Sequence, residues 1–487
     1  MATVYDKHVF RQLEEVMKKC DNLSQEIRVE RKEHKKEIKL LNEKIDCLEK
    51  ENKELKHENQ KLRDDNDRLK KQLNNNSNNS SKPPSSDIKK NIPNNKEKTD
   101  KKSGGQKGHS AHFLNKKDVE AKIAKGEFKH EVINKGNAQG KYISKYVLDL
   151  KVDIIAKEYR FFKDENGKYN IPKAFYANVQ YGNELKTMCA VLNTEEIVAL
   201  DRLTNFVNCI SHGTLNISKG SIVNFLEELD SKSEYLIKNI EEKVLNSELM
   251  YTDATTARCN NKNICVRNYS TPKYTLLIPT LGKSKKYIEE TNILNRYTGD
   301  IVHDHETVIY NYGNRHIECN VHISRYLKGC HDNTEHQWAL KMRALLCCLN
   351  EYRKKLKEND VQFLQEEQLQ RYFKRYDEIL DEGYKENKTL KSKFLKQEEL
   401  NLLNRLKKYK ENHIMFLYDF SVPFDNNLSE RDLRHVKVKQ KVSGHFNVIE
   451  GIKKYLDIKS IIGTFKKQGK NFYEAIFNIY ENIPVVI

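Results

Sequence analysis

The most constraining feature of the sequence is a heptad repeat that runs without Gly or Pro from Phe10 to Leu73. Alternating steps of three and four residues place leucine at successive d positions: Leu41, Leu48, Leu55, Leu62 and Leu69. Asparagine fills three of the four a positions between them: Asn52, Asn59 and Asn66. A buried Asn at position a pairs with its twin and favours a parallel, in-register dimer. The repeat therefore predicts one long helix over residues 10–73 that forms a homodimer or higher oligomer.

Two other interpretations of this helix explain the sequence less well. A lone solvated helix does not require five leucines at a period of seven. A zipper that reads DNA needs a basic region directly before the heptads, whereas residues 26–39 carry charges of both signs.

Composition points to an anionic polymer as the partner. The 487 residues include 87 Lys+Arg and 70 Asp+Glu, a formal net charge of +17, and such an excess suggests nucleic acid. The ten cysteines are scattered, which indicates reduced thiols in a cytoplasmic protein rather than a disulfide framework. No run of 18 apolar residues and no signal-peptide pattern occurs in the sequence, so we expect no membrane partner.

Composition and periodicity divide an α+β chain into seven segments. They are a coiled-coil helix 1–73, a flexible basic linker 74–109, a small β-hairpin domain 110–180, a helical segment 181–247, a β-rich segment 248–335, a charged helical segment 336–418, and a mixed, basic C-terminal segment 419–487. The hairpin is predicted from β-forming residues in 142–172 around the turn Asp164–Gly167.

The helical segment 181–247 has two possible roles. Asn193–Glu196 is predicted to open one helix and Ser218 to cap the next. Two helices across a tight turn are either a helix-turn-helix that reads DNA or ordinary helical packing.

Three carboxylates stand where apolar runs end or a helix begins. Asp253 follows Leu249–Thr252, Asp304 follows Ile301–His303, and Glu430 lies in a predicted first helical turn. Carboxylates are the ligands that Mg²⁺ prefers, and a pair of ions held by them would serve phosphoryl displacement. With 70 acids in the chain, an incidental arrangement is the competing interpretation.

Basic residues crowd around Glu430. From 431 to 470 there are 11 Lys+Arg against three acids, and Lys437, Lys439 and Lys441 alternate as on one face of an extended segment. The predicted DNA contacts are Arg431, Arg434, Lys437, Lys439, Lys441 and Arg325. A solvated, charged face is the alternative for the same residues.

The motifs together resemble those of the insertion-sequence 66 family of transposases, bacterial enzymes of the DDE class. The resemblance is carried by Asn79–Asp87, Gly104–His109, Tyr251–Thr255, Val302–Asp304 with Cys319–Arg325, and Pro423–Arg434 continuing to Gly444. It implies an RNase H-like catalytic core in which Asp253, Asp304 and Glu430 form the catalytic, metal-binding triad. It also implies that the helical segment 336–418 is an insertion between the second and third acids.

The resemblance implies a DNA transposase that depends on two Mg²⁺ ions, with Mn²⁺ as a possible substitute. Such an enzyme hydrolyses a phosphodiester at each element end and joins the freed 3′-hydroxyl to double-stranded target DNA. Two alternatives stay open. One is a non-catalytic, decayed coiled-coil protein that only binds DNA, and the other is a nuclease that cuts without joining.

The sequence departs from the family at two places. Residues 131–172 contain no cysteine where the family often has a zinc ribbon, so no zinc is expected there. Ala254 and Thr255 follow Asp253 where a second acid is common. Cys319 and His322 have the spacing of half a zinc site, but a structural role beside the strand that bears Asp304 is favoured.

Deletion of residues 1–73 is expected to convert the dimer into a monomer, because it removes the entire heptad seam. Light scattering on the full-length and truncated chains measures this directly. A truncated chain that keeps the mass of a dimer would remove the argument for pairing.

Overall fold

The computed structural model describes residues 4–80, 82, 87, 114–135 and 142–487. Its helices are α1 Val4–Asn74, α2 Lys116–Ala124, α3 Asn183–Thr194, α4 Leu200–Ile210, α5 Lys219–Leu245, α6 Lys285–Thr291, α7 Asn320–Thr334, α8 Gln337–Lys357, α9 Glu366–Lys388, α10 Lys393–Lys408, α11 Lys410–Tyr418, α12 Asn427–Ser443, α13 Ile449–Lys467 and α14 Phe472–Tyr480. Its strands are β1 Leu249–Cys259, β2 Lys262–Ser270, β3 Thr275–Thr280, β4 Asp300–His303 and β5 His316–Glu318. The protein is therefore a mixed α+β protein, as predicted.

The chain divides into two compact units. The helical unit consists of Met1–Asp87 and Asn320–Phe424, and the sheet unit consists of Ile88–Cys319 and Asp425–Ile487. The first part of the helical unit contains the N-terminal helix. Its second part begins at Asn320, whereas the sequence predicted a helical segment from residue 336. The motif Gly104–His109 and most of the predicted linker lie outside the described residues.

The sheet unit is built on five strands in the order β3-β2-β1-β4-β5. The first three strands are antiparallel neighbours, whereas β4 runs parallel to β1 and β5 runs parallel to β4. Val, Ile and aromatic residues in β2 and β3 suit a pleated surface that is buried on both sides. Three pairs, Leu249↔Asp300 to Tyr251↔Val302, set the register of β1 against β4.

Helices cover the two faces of this sheet. On one face the apolar core is formed by strand residues Ala257, Ile264, Val266 and Leu277 with Leu433 and Val436 of α12 and Ile452 and Leu456 of α13. A larger core joins Met250, Tyr269 and Leu276 to α5, α13 and α14. The face that meets α12 also carries Asp253, because Asp253 and Ala257 have the same parity in β1.

The segments before the sheet differ partly from expectation. Ser218 caps α5 by accepting a hydrogen bond from Ser221 N, which confirms that prediction. Asn193 and Thr194 instead end α3, so the predicted helix start there was wrong. Among residues 142–180 the β-hairpin reduces to one bridge, Lys163↔Tyr169, around the turn Asp164–Gly167.

The predicted long helix is confirmed as α1, and its last third docks on α10 within the helical unit. Asp64 Oδ1 accepts hydrogen bonds from Lys393 N at 2.9 Å and from the Ser392 hydroxyl at 3.2 Å. A carboxylate at this place satisfies the free amides of a helix N-terminus. Burial would raise the pKa of Asp64, but the hydrogen bonds from α10, with Phe394 N foremost, lower it overall.

The start of the predicted linker is also part of the helical unit. Asn79 is buried, and its Nδ2 donates to Asp332 of α7 at 2.9 Å. A Cβ atom at Gly329 would collide with the Asn79 carbonyl, so this close approach requires glycine. Residues 74–80 are therefore anchored rather than flexible.

One buried carboxylate connects four helices of the helical unit. Glu399 of α10 accepts hydrogen bonds from Trp338 Nε1 of α8 at 2.6 Å and from Asn387 Nδ2 of α9 at 3.0 Å. His336 Nδ1 lies 2.8 Å from the same carboxylate, and the Cys330 thiol of α7 donates to it at 3.5 Å. These donors compensate for the loss of water around a charge that is almost fully buried.

The long segment between β5 and α12 begins and ends at one point of the helical unit. Asn320 N donates to the Phe424 carbonyl at 3.0 Å. Within the sheet unit, the backbone N–H of Asn426 donates to Cys319 Sγ at 3.3 Å. About a hundred residues thus leave and rejoin the sheet unit at adjacent positions.

Within the described residues, no helix combines the length and apolar character that a membrane crossing requires.

Replacement of Glu399 by alanine is expected to lower the free energy of unfolding by about 3 kcal/mol, because it leaves several buried donors without an acceptor. Glu398→Ala is the matched control, since Glu398 is the partly exposed ion-pair partner of Lys71 and its loss should cost under about 1 kcal/mol. Urea unfolding of both variants measures the difference. Equal losses would show that the Glu399 contacts contribute little.

Candidate active site

Two of the three predicted carboxylates lie level with each other at the β1–β4 boundary. Asp304 directly follows β4, as predicted, and Asp253 lies two residues beyond the last β1–β4 pair, Tyr251↔Val302. Continuing this register places Asp253 opposite Asp304 on neighbouring chains, which are roughly 4.8 Å apart in a sheet. The apolar run ends before Asp253, but the strand does not, because β1 continues to Cys259 along its other neighbour, β2.

A buried asparagine of β2 holds Asp253 and the start of α12 together. Asn268 is paired with Asp253 across the ladder, and its Oδ1 accepts from Asp253 N at 2.7 Å. Its Nδ2 donates to the Ser429 hydroxyl at 3.0 Å. Since Ser429 precedes Glu430, the same amide fixes the helical turn that carries the third predicted acid.

A second buried asparagine connects that turn to Asp304. Asn426, at the N-terminus of α12, donates through Nδ2 to the Thr252 carbonyl at 3.0 Å and to Asp304 Oδ1 at 3.3 Å. Its own Oδ1 is buried and has no hydrogen-bond partner among the described residues. The site therefore contains a neutral, buried oxygen that has no hydrogen-bond donor among the described residues.

The structure places Asp253 level with Asp304, and Glu430 follows the Ser429 that Asn268 holds, but the three carboxylates do not form a tight cluster. Their carboxylate oxygens, all within the described residues, do not all lie within 4.8 Å of one another. Each acid has further interactions within the protein.

Asp432 is an acid of the same motif that sequence reasoning did not single out. Its Oδ2 accepts from the Ser270 hydroxyl at 2.6 Å, from the Thr275 hydroxyl at 3.2 Å and from Lys467 Nζ at 2.7 Å. Burial lowers the pKa of Lys467 despite this partner. Asp432 thus fastens α12 to β2, β3 and α13, and its only sequence signal is its place in Ser429–Arg434.

Buried histidines support the strand end that bears Asp304. His303 is almost fully buried between the rings of Tyr310 and His316, and burial lowers its pKa to about 3. It is therefore neutral at physiological pH. On the other side of Asp304, His305 Nδ1 lies 2.6 Å from the buried carboxylate of Glu318.

The predicted basic residues separate into two groups on α12. Arg431, Arg434, Lys437 and Lys441 are exposed, and at 100° per residue all but Arg431 lie within about 60° of one another on the helix face that carries Glu430. Lys439 lies on the opposite side, buried, with Nζ donating to Asn193 O at the end of α3. Burial lowers the pKa of Lys439 to about 8.

Two predictions about these residues were therefore wrong. Lys437–Lys441 are helical, not extended, because the apolar period Leu433–Val436 continues through them as one helix. Lys439 caps the C-terminal end of α3 rather than facing solvent.

Arg325 and Cys319 belong to different units. Arg325 lies on α7 in the helical unit, with its guanidinium 3.4 Å from His322 Nε2. Cys319 is buried in the sheet unit, where its sulfur accepts the hydrogen bond from Asn426 N. This contact agrees with a structural role for Cys319 beside the strand that bears Asp304.

Comparison with known proteins gives two family matches. A model described as the Transposase IS66 family matches residues 178–454, more than half of the chain. A family of unknown function, DUF6444, matches residues 12–115. No curated protein matches the chain.

Asn426→Ala is expected to lower the free energy of unfolding by about 2 kcal/mol, because the Thr252 carbonyl loses its buried donor. Asn427→Ala is the control, since this neighbouring asparagine is exposed and its truncation should change stability by less than about 0.5 kcal/mol. Chemical denaturation compares the two. If both variants match the parent chain, Asn426 does not organise the site.

Proposed function

Because the chain belongs to the IS66 family of transposases, we propose that it cuts DNA at the ends of an insertion sequence and joins the freed 3′-hydroxyls to target DNA. The main support for this proposal is a set of hydrogen bonds from two buried asparagines. These bonds hold Asp253, Asp304 and the first turn of α12 beside one another.

The catalytic core is RNase H-like in this proposal. The strand order β3-β2-β1-β4-β5, with β2 antiparallel to its neighbours, supports that assignment, because RNase H-like sheets have this topology. The helical residues 336–418 are then an insertion between the second and third acids, and the closure at Asn320 and Phe424 supports this.

Asp253, Asp304 and Glu430 would hold two Mg²⁺ ions, or Mn²⁺ in their place. The donor set fits hard cations, because it consists of carboxylate oxygens with the unpartnered Asn426 Oδ1 beside them. When bound, such ions activate the attacking water or 3′-hydroxyl and neutralise the leaving oxygen.

The exposed face of α12 would bind the DNA backbone beside the acids. Arg434, Lys437 and Lys441 share this face with Glu430, and Lys437 is held in place by hydrogen bonds to Thr256. Phosphate contacts of this kind position the duplex without reading its sequence. Arg431 borders the same face, and Arg325 would contact DNA from the helical unit.

Pairing of two subunits through residues 10–73 would allow two element ends to be processed together. The exposure of the leucine column along α1 supports this part of the proposal.

A second candidate is a decayed transposase that binds DNA without cutting it, because the exposed basic residues of α12 would serve DNA binding whether or not the acids act. It would keep the basic face of α12 and the coiled coil, and its acids would have no catalytic role.

Asp253→Asn, Asp304→Asn and Glu430→Gln should each reduce Mg²⁺-dependent strand transfer more than about a hundredfold, because a metal ligand is lost. DNA binding at low salt should persist, since the α12 cations are intact. A strand-transfer assay with labelled element ends measures joined and cut products separately.

Glu450→Gln is the matched control, because Glu450 is an exposed acid in the first turn of a neighbouring helix. Activity retained in the three acid variants would refute the triad. No activity in the parent chain with intact DNA binding would favour the decayed protein, and cut ends without joined products would favour a nuclease.

A further inference from the structure

Within the part of the chain that the structure describes, the heptad seam of α1 is exposed, whereas the opposite side of the helix makes contacts. The five d-position leucines from Leu41 to Leu69 are 52–61% exposed. Asp64, Arg68 and Lys71 contact α10, and Gln60 contacts Lys391 just before it. These four residues occupy heptad positions f, c, f and b. These positions point away from the seam in a coiled coil. The helical unit therefore docks without covering the apolar stripe.

The charged residues at the e and g positions, which flank the seam, indicate the binding partner of the helix. In a parallel, in-register pair, each g residue faces the e residue of the next heptad on the other chain. Four consecutive heptads give Lys44–Glu49, Glu51–Lys56, Glu58–Arg63 and Asp65–Lys70. Every pair joins opposite charges, and the symmetry of a homodimer repeats each pair on the other side.

An antiparallel pair would meet the reverse situation, because e then faces e and g faces g. Three of the four e residues are cationic: Lys56, Arg63 and Lys70. Three of the four g residues are anionic: Glu51, Glu58 and Asp65. Most facing pairs would repel, and the three a-position asparagines would lose their twins.

We propose that the occupant of this seam is a second copy of the chain, parallel and in register, and that the two docked helical units lie side by side at the same end of the coiled coil. In each copy, the contacts between α1 and the rest of the helical unit lie near residues 60–79. A parallel pair therefore places the two helical units at the same height along the coiled coil, on its outer sides. An antiparallel pair of helices this long would separate them by the order of 90 Å. This deepens the pairing part of the proposed function and does not depend on the catalytic residues.

Cysteine cross-linking in the full chain tests orientation and register. In a background of Cys20→Ser and Cys47→Ser, Leu48→Cys places a thiol at d and Lys50→Cys places one at f. Mild oxidation with diamide should give a reducible dimer with Leu48→Cys, because equivalent d positions face each other. Lys50→Cys, two residues away on the outer side, should give no more dimer than the background. Equal cross-linking of both variants, or of neither, would overturn the parallel arrangement.

Charge reversal tests the identity of the partner without cysteine. Lys56→Glu, Arg63→Glu and Lys70→Glu together make three g–e pairs repulsive on each side and should raise the dimer Kd more than about tenfold. The complementary chain with Glu51→Lys, Glu58→Lys and Asp65→Lys should be weakened likewise. Mixing the two should restore a stable heterodimer in sedimentation experiments. Among the described residues, none of the six substituted side chains forms a hydrogen bond or ion pair with α10. An unchanged homodimer in both variants would therefore exclude this seam.

The outcome is separable from that of the catalytic proposal. Strand transfer lost in the acid variants, with Leu48→Cys failing to cross-link, would refute only the arrangement proposed here. Cross-linking at position 48 in a chain without strand transfer would leave the arrangement standing and refute the catalytic proposal.

Discussion

The short parallel pairing of β1 with β4 is the constraint on which the candidate site depends. It spans only three residue pairs and ends at Tyr251↔Val302. Asp253 and Asp304 each follow this last pair by two residues, so they lie at the same height along the two strands. The hydrogen bonds of Asn268 and Asn426 then fix the first turn of α12 beside these two acids. These amides are buried, and in a low-dielectric interior a misplaced partner is costly. The backbone geometry of two strands thus determines where a helix more than a hundred residues later begins.

Local patterns in the sequence predicted the features that local physics decides. The heptad repeat determined α1, the apolar run before Asp304 determined β4, and the Ser218 hydroxyl capped α5 as its position suggested. Each depends on residues within a few turns or one strand of each other. Asp304 and the start of α12 could for this reason be located from sequence alone.

Predictions failed where distant contacts outweigh local preference. Residues 142–172 have β-forming side chains, but no neighbouring strand pairs with them among the described residues, and a strand without a ladder is not stable. The alternation of Lys437, Lys439 and Lys441 suggested a strand, yet the apolar side of α12 packs on the sheet. Asp432, Asn426 and Glu399 were missed because a buried polar group is recognisable only once its partners are known.

The closure between Asn320 and Phe424 has an evolutionary consequence. An inserted segment whose two ends are in contact adds little strain to the fold that contains it. If the segment becomes longer, the entropic cost of closing it increases only slowly. The residues between could be enlarged, trimmed or exchanged across lineages while the strand before and the helix after keep their spacing. This architecture would let natural selection remodel that segment without disturbing the register of the sheet.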